Sequence, residues 1–163
     1  MKIIDFLAYN VWANSILGKL VEGININDFN LVLTSSFPTI NKTLLHILDA
    51  ETIWLKRLQG KSLTYWPSEQ ENISKEKAIE MLIGKSLEFK TFMNNQPSNY
   101  VDGTCNFKDT KGNEYSIAVA DIVQHVCNHS TFHRGQIIAM LRQVGFTNLK
   151  STDYITWIRQ GKA

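Results

Sequence analysis

Long hydrophobic runs are missing from this chain. Even its most apolar stretch, Met1 to Leu20, is interrupted by Asp5, Asn10, Asn14 and Lys19, so neither a membrane span nor a signal peptide is expected there. Cysteine is scarce as well: Cys105 and Cys127 are the only two. That excludes a small disulfide-stapled scaffold and points to reduced thiols and a cytoplasmic setting. Only 3 prolines and 9 glycines interrupt 163 residues that are 44% hydrophobic, which rules out a disordered chain. An excess of charge of one sign is lacking too. The 17 basic and 15 acidic residues leave a net charge of +2, and the basic ones are scattered. Without a basic stripe, no nucleic-acid partner is expected. No internal repeat or low-complexity tract divides the chain, whose length suits one domain spanning residues 1–163.

What is present is helical periodicity. Ile3, Ile4, Leu7, Val11, Ile16, Leu17 and Leu20 predict a first helix over Ile3 to Val21, closed near Gly23. Asn25 to Pro38 reads as a connection. After Pro38, Ile40, Leu44, Leu45, Leu48, Trp54, Leu55 and Leu58 predict a second helix, ended by Gly60. Lys61 to Asn72 reads as a loop. Ser74 is placed to cap a third helix that stops before Pro97. Thr104–Phe107 and Glu114–Ile117 flank Asp109-Thr110-Lys111-Gly112-Asn113 and predict a small hairpin. Ser116 is placed to cap a fourth helix from Ile117 to Val144, stopped by Gly145, and a short helix over Asp153–Arg159 closes the chain. The expected fold is all-α: a four-helix bundle with a short extended excursion before the fourth long helix. Periodicity leaves the helix order open between up-up-down-down and up-down-up-down.

Three of the four histidines fall in the last long helix, at positions 125, 129 and 133. Residues four apart drift by only about 40° around a helix, so these three share one flank, beside the core-facing Val126, Ile137 and Leu141. Cys127 lies on the far side. Two imidazoles one turn apart suit a single metal ion, whereas His125 and His133 stand about 12 Å apart along the axis and cannot share one. Either His125 with His129 or His129 with His133 can bind. His46 sits within the apolar run Leu44-Leu45-His46-Ile47-Leu48, where its ring nitrogens need a partner. Bundles build metal sites from facing helices, so His46 is the candidate third ligand; the competing reading is a structural polar cluster, or exposed histidines on a solvated flank.

Several strings in this chain have a familiar look. Asn128-His129-Ser130-Thr131-Phe132-His133-Arg134-Gly135-Gln136 resembles the signature of the DinB family, also called the DinB/YfiT-like metalloenzymes. Tyr9-Asn10-Val11-Trp12-Ala13-Asn14, His46 with Asp49-Ala50-Glu51 and Trp54, and Asp153-Tyr154 follow the family pattern in order. The resemblance implies a four-helix bundle, a homodimer, and a divalent metal ion held by His46, His129 and His133, with zinc or nickel suiting imidazole ligands. His125 then becomes a neighbour of the site. Part of the wider superfamily uses low-molecular-weight thiols, which implies a thiol S-transferase with a thiol cosubstrate and a small-molecule electrophile. The alternatives are a metal-dependent hydrolase, working through a bound water of lowered pKa, and a non-catalytic metal-binding dimeric scaffold.

Other residues carry weaker expectations. Arg134 is read either as the holder of a ligand's carboxylate or phosphate or as one half of a surface ion pair. Gln136 is read as orienting a ligand ring or contacting substrate, or else as making a core-rim hydrogen bond. Asp49 and Glu51 are read as solvated charges sooner than as acceptors behind a histidine, and Gly135 as a point of close approach by another backbone or a partner subunit. The four tryptophans, at 12, 54, 66 and 157, are read as core or interface.

Overall fold

The helical periodicity resolves into four long helices in the computed structural model, which describes residues 3–70 and 73–162. These are α1 (Ile3–Glu22), α3 (Ile40–Leu58), α4 (Lys75–Asn94) and α5 (Val119–Gln143). A short helix α2 (Ile26–Asn30) lies in the first connection and α6 (Tyr154–Arg159) closes the chain. An antiparallel hairpin, β1 (Thr104–Lys108) with β2 (Glu114–Ala118), pairs Phe107 with Tyr115 ahead of α5.

The helix ends have local causes. Thr39 and Ser74 accept hydrogen bonds from the backbone N–H groups of Lys42 and Lys77, satisfying donors that the first turns of α3 and α4 leave free. Gly60 and Gly145 take left-handed φ angles of +76° and +80° just past α3 and α5, a conformation that suits glycine. Gly23 acts otherwise. Its φ is not positive, and a Cβ there would stand 2.9 Å from the Phe146 ring, so close packing is what the position requires. Three further expectations are corrected. The connection Asn25 to Pro38 contains α2, because the Asn25 side chain accepts from the N–H of Asp28 and nucleates a turn. Ser116 does not cap α5: the hairpin runs on through Ala118 and the helix starts at Val119 without a side-chain cap. The loop after α3 holds a 3-10 turn at Pro67–Gln70; its last two residues, 71 and 72, lie outside the described ones.

Helix order follows from which ends share an apolar cluster. Leu7, Leu55, Phe89 and Val126 meet at one end of the bundle, and Leu17, Leu44, Leu82 and Ile137 at the other. Read along the chain, α1 and α5 therefore run one way, and α3 and α4 the opposite way. The order is up-down-down-up, neither of the two that periodicity left open. Each of α1 and α3 packs on both α4 and α5, which puts α1 and α3 across the diagonal. Parallel α3 and α4 require the chain to return the length of the bundle between them, a span of about 28 Å for the 19 residues of α3. The segment 59–74 makes that return, pinned to α3 where Asp49 accepts from the Ser68 N–H at 2.8 Å and hydroxyl at 2.6 Å.

A polar layer separates the two apolar clusters and draws on all four long helices. Glu51 of α3 is fully buried. It accepts from Asn10 Nδ2 (2.7 Å) and Asn14 Nδ2 (2.9 Å) of α1, Ser86 Oγ of α4 (2.6 Å) and Ser130 Oγ of α5 (3.1 Å). Arg134, 1% exposed, donates to Asn10 Oδ1 (2.7 Å), Asn14 Oδ1 (2.8 Å) and Thr131 Oγ1 (2.7 Å). The two asparagines thus relay between a buried carboxyl group and a buried guanidinium. Burial pushes the Glu51 carboxyl above its ordinary range, against the pull of Ser86, Asn10, Arg134 and Ser130. These positions correct the readings of Asp49 and Glu51 as solvated and of Arg134 as a ligand holder or surface pair. A helix that packs on two neighbours buries a wide arc, so Glu51 stays interior although it is turned about 140° from His46. Gly135 is exposed, and no non-local atom of the described residues lies within 4 Å of a Cβ built there; close approach within the chain does not explain it.

Candidate metal centre

His46 projects from the middle of α3 toward α5, where His129 and His133 stand one helical turn apart. The three side chains each bring one ring nitrogen into a cluster whose nitrogens all lie within 4.8 Å of one another. The closest pair, His46 Nε2 and His129 Nε2, is 3.0 Å apart. Two ligands of a tetrahedral ion with metal–nitrogen bonds of about 2.0–2.1 Å stand roughly 3.3 Å apart, within the spread observed here. The three positions implied by the family resemblance are thus brought together. His125 is not part of the cluster: it is exposed and lies against Trp54 and His129, with ring centroids 5.4 and 5.7 Å away.

The surroundings favour uncharged rings. His46 is pushed down to about 4, by burial first and then by His133. His129 is pushed down to about 3, by burial and by His133, His46 and His125 together. Neutral imidazoles with lone pairs turned toward one point are what a divalent cation needs. Gln136 settles the tautomer of His133: its Oε1 accepts from Nδ1 at 2.7 Å, which leaves Nε2 with its lone pair. The Gln136 amide is held in turn by donating to Ser36 Oγ at 2.9 Å. The reading of Gln136 as the residue that orients a ligand ring therefore agrees with its position. His129 has no such support, since its Nδ1 is buried and without a partner among the described residues. The donor set, its spacing and the fixed tautomer together fit a metal ion.

Two aromatic residues cover the cluster, and the sequence reading did not assign either to it. Phe37, from the connection before α3, lies 4.2 Å from the His46 ring by centroid, tilted 30°. Trp66, carried in by the return segment between α3 and α4, lies 6.1 Å away on the same ring. Of the other tryptophans, Trp157 is core against Tyr9 of α1. Phe37 and Trp66 also line a cavity of about 620 Å³ with Leu45 and His46. A second cavity, of about 300 Å³, shares His46 and Trp66 with the first and is lined as well by His129, His125 and Arg57. Both volumes are of the size that takes small ligands.

The lowered histidine values carry a sign for stability. Unfolded imidazoles take up protons near pH 6.5, whereas folded His46 and His129 resist until about 4 and about 3. As pH falls below about 6.5 the unfolded chain binds more protons than the folded one, so the histidine contribution to stability is lost on acidification. Chelator-treated protein is expected to show a lower urea midpoint at pH 5 than at pH 7.5, and His129→Ala is expected to flatten that difference. Equal slopes for the two proteins would remove the assignment.

With this geometry in hand, the chain can be set beside known proteins. The family model described as the DinB family matches residues 1–160. Protein DinB of Bacillus subtilis (strain 168) is 28% identical over 153 residues, which cover 90% of this chain and 87% of that protein.

Proposed function

Since the chain belongs to the DinB family, we propose that it is a metal-dependent S-transferase that joins a low-molecular-weight thiol to a small electrophile. The observation that carries this reading is the convergence of three neutral imidazoles between two open cavities. In the proposed reaction a thiol gives up its proton, its sulfur forms a bond to an electrophilic carbon, and the leaving group departs with its bonding pair. A divalent ion on three histidines supplies the positive charge that turns a thiol into a thiolate near neutral pH.

The chain's own residues account for the rest. His46, His129 and His133 stay unprotonated and available as donors, and Gln136 holds the His133 ring in the correct tautomer. Phe37 and Trp66 shield the cluster from water on one side and offer an apolar surface to an electrophile. The attacking sulfur has to come from a cosubstrate. Cys105 and Cys127 are buried, and burial pushes the Cys127 thiol up to about 12, far from the thiolate that attack requires. Family likeness supports the thiol; a homodimer is proposed on the same ground.

The test is consumption of a small thiol and a model electrophile by the metal-loaded protein. Turnover that depends on both is expected. A rate no higher than that of His129→Ala would reject the proposal, and ester turnover without thiol would favour a hydrolase instead.

A further inference from the structure

The second cavity beside the histidine cluster contains a cation whose hydrogen-bonding capacity is unused. Arg57, near the end of α3, is only 9% exposed. Its guanidinium carbon lies 4.5 Å from the centroid of Trp54 and 4.3 Å from that of Phe107, so two aromatic rings hold it. The two rings stand at 78° to each other, so the guanidinium can lie flat on only one of them, and the N–H groups on its remaining edge stay free to donate. Yet no acceptor among the described residues takes a hydrogen bond from this side chain, and its Nε is buried with no partner. A buried, unpaired N–H is costly, the more so on a charged group, and a fold keeps few of them.

The nearest negative charge does not answer it. Asp109 attracts Arg57 at a distance but forms no ion pair with it among the described residues. Its carboxylate is committed to its own turn, accepting from the N–H groups of Lys111 and Asn113 and from Asn113 Nδ2. Among the described residues no acidic side chain lines the cavity, and Arg57 is the one permanent cation that does. His46, His125 and His129 line the same cavity, and His125 packs against both His129 and Trp54, the ring that Arg57 lies over.

We infer that Arg57 is a specificity-determining anchor that binds the carboxylate of a small reactant while the rest of that molecule reaches the histidine cluster. The inference rests on the proposed use of that cluster and names a class of reactant for it: a small acid with one negative charge at this end. A single guanidinium with a planar donor edge matches a monoanionic carboxylate, which it can grip with two parallel hydrogen bonds. A phosphate dianion would leave charge unbalanced here. Trp54 and Phe107 keep the plane fixed, so little order has to be imposed on binding.

Titration of chelator-treated protein with butyrate and with butyramide tests this, because the two probes match in shape and differ in charge. The readout is NMR of the Arg57 Nε–H and the Trp54 indole N–H. Butyrate is expected to move both resonances saturably and butyramide to leave them in place. Arg57→Gln is expected to weaken butyrate binding, followed at the Trp54 indole, by roughly tenfold or more, the factor of a lost charge-assisted hydrogen bond. Arg57→Lys, which keeps the charge without the fork, is expected to fall between. Equal shifts from the two probes, no shift from butyrate, or full affinity in a folded Arg57→Gln variant would each overturn the inference. The comparison of probes needs no variant to fold and no metal to bind, so failure of the transferase assay and failure of this titration are separate results.

Discussion

Replacing His129 by alanine is expected to abolish stoichiometric metal binding while leaving the helical bundle folded. Its Nε2 and that of His46 stand 3.0 Å apart, and its ring packs against both other histidines, 4.8 Å from His46 and 4.4 Å from His133 by centroid. Its removal leaves two imidazoles from two helices, too few for the three protein ligands of an open site. A graded contrast comes from Gln136→Ala. That substitution keeps all three ligands and removes only the acceptor that orients His133, so affinity should drop about 10–100-fold, the usual cost of losing such a support. Elemental analysis after dialysis and competition with a chromophoric chelator measure both. Full occupancy in His129→Ala would mean that the ion sits elsewhere.

Glu51→Ala is expected to be the most damaging single substitution for the fold. Four donors from three helices end on this carboxyl group, and Arg134 stays behind it with both asparagine relays loosened. Removing one partner of a buried charged network costs about 3–5 kcal/mol, which for a chain of this size is a loss on the order of 10 °C in melting temperature. Glu51→Gln keeps the volume and one acceptor oxygen and is expected to lose less. Thermal unfolding followed by circular dichroism distinguishes them. A Glu51→Ala protein that melts within about 2 °C of wild type would show that the layer contributes little to stability and only sets helix register.

Much of this molecule is legible in one dimension where the cause is local. Helix stops at Gly60 and Gly145 follow from left-handed backbone that suits glycine, and the start at Ser74 follows from a side chain that caps its own first turn. The stacking of His129 on His133 is equally local, a consequence of 3.6 residues per turn. Periodicity gave the four long helices their places for the same reason, and the turn residues Asp109 to Asn113 gave the hairpin its place.

Which faces meet is a different kind of information, and only the tertiary structure decided it. The up-down-down-up order depends on a return segment whose course no periodicity records, and that segment is what carries Trp66 over the histidines. Glu51 and Arg134 carry charges that local reasoning places in water; they are buried because α1, α3, α4 and α5 bring complementary polar groups to one layer. Arg57 shows the same limit. Nothing in its sequence neighbourhood singles it out, and only the packing of Trp54 and Phe107 around it reveals a cation without an acceptor among the described residues. A helix can be foretold from its own residues, but the partner of a buried charge is chosen by chain segments far away.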